Sequence, residues 1–173
     1  PPPPLFFLMI RRPPRSTLDR SSAASAVYKR QPKDSTSELD RMLNCAKKIL
    51  EKLEIPHQVI LLSTGDMGFS AEKTFDLEAW IPSEKRYREI SSCSSCGTFQ
   101  ARRMGAKFKG SNNNQFVTTL NGSGLAVGRL MIALLENNQN EDGSVSIPKI
   151  LKKLCPGIYG TIKPIGICMI GAK

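Results

Sequence analysis

The chain has 173 residues, of which 40% are hydrophobic and 6% aromatic, with a formal net charge of +10. Residues 1–31 hold six basic residues and one acidic residue, which leaves 19 basic and 14 acidic in the rest, so the body is only mildly basic. That balance fits a protein that meets a polyanion without being a general nucleic-acid coat, and equally a lysine-rich surface; the low aromatic content argues against prominent stacking platforms for single-stranded RNA, and the five scattered cysteines suit a reducing compartment better than a disulfide framework.

Residues 1–31 do not read as a domain. They are rich in proline, arginine and serine, with Asp19 as the one acid. A basic, serine-rich leader fits an organelle-targeting peptide, but the four opening prolines favour polyproline II and oppose the amphipathic helix such peptides form. LFFLMI is six apolar residues against the roughly 20 that a membrane span needs. The remaining reading, and the preferred one, is a disordered non-native leader resembling translated adapter or linker sequence, FFLMIRRPPRST and SSAASAVYKRQ. The domain proper is therefore expected over residues 32–173, long enough to bury a core.

From there the periodicities define elements in order. Residues 35–53 carry leucine, isoleucine and alanine at helical spacing with lysines outside, and Pro56 stops the helix. Residues 58–62 read as a short buried strand, and Gly65 to Gly68 as a turn. Residues 74–81 alternate apolar and polar as a half-buried strand does, and residues 85–92 read as its antiparallel partner. Residues 98–105 form a helix, 116–120 a strand, 124–138 an apolar helix, and Pro148 opens a short basic helix to Leu154. This order predicts an α+β fold, an antiparallel sheet flanked by helices. Gly122, Gly124 and Gly128 are spaced GxGxxxG, one residue longer than the dinucleotide fingerprint, with no βαβ unit around them.

Chemistry concentrates in TTLNGSGLAVGRLMIALLENNQ. Apolar residues cover nearly every face of its helix, which predicts a helix enclosed by protein, with Arg129 as the exception. A guanidinium cannot shed its proton, so its burial requires a carboxylate or phosphate on its donor fork. The alternative is that Arg129 reaches past the turn to solvent or to a structural carboxylate. Asn121, Gly122 and Ser123 could equally make the turn and cap the helix. Glu89 in YREISS would, by itself, be a surface strand residue paired with Arg86 or Arg88. Cys93 and Cys96 form a CxxC that lacks a second ligand pair, and His57 is the only histidine, so no zinc is expected and His57 is taken as structural.

GLAVGR, together with FDLEAWIP and YREISS upstream in the same order, resembles the catalytic domain of the class II aminoacyl-tRNA synthetases in the form found in seryl-tRNA synthetase. The similarity runs from about Glu38 to Pro156 and includes the arginine-bearing motif 3. The resemblance implies a C-terminal part of the catalytic domain, with the upstream motifs 1 and 2 outside this sequence. It implies a cytoplasmic or organellar serine–tRNA ligase, active as a homodimer without membrane attachment, that activates L-serine with ATP and Mg2+ and passes the seryl group to tRNA(Ser). This sequence by itself is then expected to be inactive.

By the same resemblance, Arg129 contacts the ATP phosphates, Glu89 is the carboxylate on the ATP and magnesium side, and Ile90, Ser91 and Ser92 continue the nucleotide-binding strand. Thr119, Asn121 and Ser123 line the serine pocket, while Gln100, Arg102 and Arg103 support the site. Two rivals use the same core: a ligase that loads an amino acid onto a carrier protein, and a non-catalytic interaction module. Retention of Glu89, Ser123 and Arg129 counts against the second.

Overall fold

The computed structural model describes residues 25–30, 35–109, 113–155, 157 and 160–163. Its centre is a five-stranded antiparallel sheet in the order β1-β7-β4-β3-β2. The strands are β1 (Ser25–Arg30), β2 (His57–Leu61), β3 (Lys73–Ile81), β4 (Arg86–Ser95) and β7 (Thr118–Ser123). The hairpin of β5 (Lys107–Lys109) and β6 (Asn114–Phe116) and the pair of β8 (Val145–Ser146) and β9 (Thr161–Ile162) form two small further sheets. Helices α1 (Ser35–Lys52) and α3 (Val127–Asn137) pack on the central sheet, α2 (Phe99–Met104) packs against β7, and α4 (Lys149–Leu154) follows β8.

Alternation along β3 decides which face is which. Leu77, Ala79 and Ile81 bury against Leu50 of α1, Leu53 just after it and Ala133 of α3, with Ile90 of β4 completing the cluster. Phe75 on the same face joins Leu39, Cys93 and Leu120 in a neighbouring cluster. The intervening residues Thr74, Asp76, Glu78 and Trp80 take the opposite face. One side of the sheet is thus apolar under two helices, and the other carries polar groups.

Several expectations change. The strand expected to be buried at residues 58–62 is the edge strand β2, with Leu61 60% exposed. Residues 121–123 extend β7 rather than forming a turn, and α3 starts at Val127 after an Ala126 cap that offers no side-chain hydrogen bond. Helix α3 is not enclosed, because Val127, Met131 and Leu135, spaced four apart, form an exposed stripe beside exposed Ile132. Apolar residues all round a helix fill two layers only where two are supplied, and among the described residues the sheet supplies one. Ser25–Arg30, inside the segment expected to be disordered, pairs in register with β7 from Ser25 opposite Ser123 to Arg30 opposite Thr118. The edge of β7 offers unpaired backbone groups, and a segment containing valine and tyrosine satisfies them readily. Residues 1–24 lie outside the described residues.

Candidate active site

The site is built by one irregularity. Along β3 and β4 the pairs run Asp76 opposite Ser92 and Leu77 opposite Ser91, then Glu78 opposite Glu89, so Ile90 is an extra residue on β4. A regular strand would send Glu89 and Ser92, three residues apart, to opposite faces. The bulge sends both to the polar face while Ile90 drops into the core at 1% exposure. It also frees backbone carbonyls from the ladder, and the start of α3 collects them. The Ala126 amide donates to the Ile90 carbonyl at 2.7 Å, and Arg129 Nη1 donates to the Glu89 carbonyl at 2.7 Å.

Arg129 therefore lies beside Glu89, with Nη1 3.7 Å from Oε2 of its carboxylate. The Arg129 side chain is 55% exposed, so the expectation of a buried arginine gives way to one anchored by a bulge carbonyl, with the rest of its fork open to a cleft. The expected alternative partners of Glu89 are engaged elsewhere. Arg86 and Arg88 both donate to Glu84, at 2.7 and 2.6 Å, and hold its carboxyl below the usual range. The cleft measures about 460 Å³ and is lined by Glu78, Tyr87, Arg88, Glu89, Arg129 and Ile132, among others. That volume falls within the range of small-molecule and cofactor sites.

From the cleft the polar face continues in cross-strand rows. Asp76 faces Ser92, and the Ser92 amide donates to Ser123 Oγ at 3.0 Å, which ties the end of β7 to β4. In the next row Thr74 and Ser94 join hydroxyls at 2.8 Å, and Ser94 lies opposite exposed Asn121. Gly122 between them faces the core, where an added Cβ would sit 2.3 Å from Met42 Cε. The absence of a side chain leaves this space to the end of Met42.

The sequence-derived site residues divide accordingly. Glu89, Ser92, Asn121, Ser123 and Arg129 share the polar face. Ile90 and Ser91 turn inward, each 1% exposed, and Ser91 Oγ donates to the Ser123 carbonyl at 2.7 Å, so their side chains support the floor rather than line it. Thr119 is fully buried, beside the Cys96 thiol. Burial pushes up the thiols of both Cys93 and Cys96, which keeps them protonated and unreactive. His57 Nδ1 hydrogen-bonds with the Ile55 carbonyl at 2.8 Å, a local structural contact.

Sequence reasoning missed Asp76. It is 8% exposed, and its Oδ1 has no hydrogen-bond partner among the described residues. FDLEAWIP placed it on a strand but could not show that it stands over Ser92. Burial first, and then the charge of Asp76, push the Glu89 carboxyl above its ordinary value of 4.5, against the opposing pull of Arg129. A raised carboxylate favours the protonated fold. The contribution of Glu89 to stability is therefore full below pH 4.5 and is lost as pH rises through the folded value. Asp76→Asn is expected to bring the Glu89 titration midpoint down and Arg129→Ala to raise it, as read by carbon NMR of the side-chain carboxyls. A midpoint unmoved by Asp76→Asn would refute the assigned cause.

An antiparallel sheet backed by helices, with an arginine from the following helix set beside a strand carboxylate on its open face, is the arrangement of a class II synthetase core. The profile of the tRNA synthetase class II core domain (G, H, P, S and T) matches residues 23–138, and the chain belongs to that family. Among its relatives, the serine–tRNA ligase of Pelagibacter ubique is 61% identical over 127 residues, which make up 73% of this chain and 30% of that protein. The serine–tRNA ligase of Maricaulis maris is 57% identical over 129 residues, with the same shares. The crystal structure of seryl-tRNA synthetase from Pyrococcus horikoshii complexed with ATP superposes with a TM-score of 0.76 at 35% identity, covering 82% of this chain and 32% of that one. The cytoplasmic serine–tRNA ligase of Naegleria fowleri in complex with AMP gives 0.73 at 31% identity. The chain thus spans about 30% of the length of the curated relatives it matches. Among the described residues no helix is long and apolar enough to cross a membrane.

Proposed function

We propose that this chain carries the motif 3 half of the ATP and serine site of a cytoplasmic or organellar, homodimeric serine–tRNA ligase, within residues 32–173, and that residues 1–31 are a leader or linker whose Ser25–Arg30 pairs with the edge of β7. The observation that carries this reading is Arg129, anchored on the bulge carbonyl of Glu89 with its remaining donors open to the cleft.

In the proposed reaction the serine carboxylate attacks the α-phosphorus of ATP and pyrophosphate leaves, and the terminal ribose hydroxyl of tRNA(Ser) then attacks the carbonyl of the resulting seryl-adenylate, taking the seryl group and releasing AMP. No protein nucleophile takes part, so the residues act by orienting and by neutralising charge. Arg129 offers paired donors to phosphate oxygens, which a lysine could not. Ser123 and Asn121 offer small polar groups to the serine hydroxyl and ammonium. A site satisfied by a hydroxyl rejects alanine by leaving its own polar groups unpaired.

Mg2+ bound through the ATP phosphates would supply charge neutralisation, with Glu89 as its protein ligand. One carboxylate plus substrate oxygens suits a cation that keeps most of its water. The fit rests on the excess negative charge of Asp76, Glu78 and Glu89 over Arg129, the other lining arginine, Arg88, being paired with Glu84. Among the described residues no group of three metal-binding side chains forms a cage.

The chain is expected to bind ATP weakly and to give no serine-dependent exchange of pyrophosphate into ATP, since it spans so little of the relatives' length. Exchange by this polypeptide alone would overturn the reading as a partial site. Failure to bind ATP at millimolar concentration would overturn the ATP site.

A further inference from the structure

We infer that the outer surface of α2, with the loop before β3, is a stacking ledge for the single-stranded end of an RNA. The inference rests on the reading of the chain as part of a tRNA ligase and adds the surface on which that substrate would lie.

Phe69 is 91% exposed. It meets Phe99 of α2 edge-on, with centroids 5.6 Å apart and planes at 80°. The Arg103 guanidinium covers the Phe99 ring at 3.8 Å, and Arg102 is held beside it by bonds from Nε and Nη2 to Thr98 Oγ1 at 3.0 and 2.9 Å. Two aromatics and two guanidinium planes are thus preset on one surface. The low aromatic content had argued against such a platform, but Phe69 and Phe99 lie thirty residues apart and meet only through the fold.

Charge points to a polyanion. From residue 98 to residue 135 the sequence contains no Asp or Glu, while Arg102, Arg103, Lys107 and Lys109 follow one another through α2 and β5. The loop before β3 adds two acids, Asp66, which accepts from the Ser63 hydroxyl, and Glu72, packed against Gly97. Lys107 lies over the Phe116 ring at 4.9 Å, so basic and aromatic groups continue to interleave onto the hairpin. Bases stack on aromatic faces and on guanidinium planes with little regard to sequence, while lysine and arginine track the phosphates. An apolar peptide would not need the arginines, and a duplex hides the base faces that Phe69 would meet.

Position supplies the link to the site. The turn into α2 is bonded to β7 by Cys96 N to Thr119 O at 2.9 Å and by Thr119 N to Gly97 O at 3.0 Å. Asn121 lies two residues further along that strand, about 7 Å away. The element that carries the ledge is thus hydrogen-bonded to the strand that carries Asn121 and Ser123.

Fluorescence anisotropy of the intact chain with a labelled single-stranded oligocytidine, without ATP or serine, tests this. Binding is expected, with Phe69→Ala weakening it about tenfold or more and Phe69→Trp preserving it. Arg103→Gln is expected to reduce the slope of log affinity against log salt by about 0.7, the value for one phosphate contact on a single strand. Lys47→Gln on the far helix α1 serves as the charge control and is expected to change nothing. Phe69 is a surface residue, so circular dichroism of the variant is expected to match that of the parent chain. No binding, unchanged binding by Phe69→Ala, equal affinity for duplex RNA, or an equal loss with Lys47→Gln would each overturn the ledge. Because ATP binding is measured separately through Arg129, loss of the ledge and loss of the ATP site are distinguishable.

Discussion

Arg129→Ala is expected to lower the affinity of the chain for ATP about a hundredfold, since a forked, charge-assisted contact to phosphate is worth roughly twice a neutral hydrogen bond at each of its two arms. The geometry also predicts what lysine does there. One donor of Arg129 is committed to the Glu89 carbonyl at 2.7 Å, and the planar fork fixes where the others point. Lysine restores the charge but cannot hold the carbonyl and face a phosphate along fixed directions at the same time. Arg129→Lys is therefore expected to recover only about a tenth of the lost affinity. Displacement of a fluorescent ATP analogue measures both variants. The side chain is more than half exposed, so removing it costs stability only about 1 kcal/mol, the net value of a single hydrogen bond. A variant that melts like the parent yet binds ATP equally well would place the nucleotide elsewhere.

The residues that make this site could be picked out of the sequence, but not their orientation. Arg129 and Glu89 stood out through GLAVGR and YREISS, and the alternation in FDLEAWIP gave β3 nearly to the residue. A bulge leaves no compositional trace. REISSCSS reads as plain strand, and nothing in it shows that Ile90 is the extra residue that puts Glu89 and Ser92 on one face. Nor does a sequence reveal which competing partner an arginine takes. Glu84 collects Arg86 and Arg88 because the short turn after β3 brings it back over them, and that leaves Glu89 to Arg129. Side-chain periodicity reports local twofold or 3.6-fold order. The buried Asp76 over Ser92, the Phe69–Phe99 contact and the uncovered stripe of α3 depend on pairings between distant segments.

Leu77→Ala is expected to destabilise the chain by about 3 kcal/mol, a large share of the roughly 5–15 kcal/mol that holds a domain folded. Leu77 is fully buried at the centre of β3, where Leu50 of α1, Ala133 of α3 and Ile90 of the bulge converge in one cluster. The cavity left by alanine would open under the one irregular pair of the sheet, Leu77 with Ser91 beside Ile90, so the bulge would lose the packing that holds Ile90 inward. Nucleotide affinity should therefore fall with stability, although Leu77 faces away from the cleft. Leu77→Met, which keeps the volume, is expected to cost less than about 1.5 kcal/mol and to preserve ATP binding. Leu61→Ala on the exposed edge of β2 provides the comparison, with a change within about 0.5 kcal/mol. Urea midpoints order the three variants. If Leu77→Ala unfolded at the same urea concentration as Leu61→Ala, the core would not lie under β3, and the bulge would have to be held by something other than the two helices behind it.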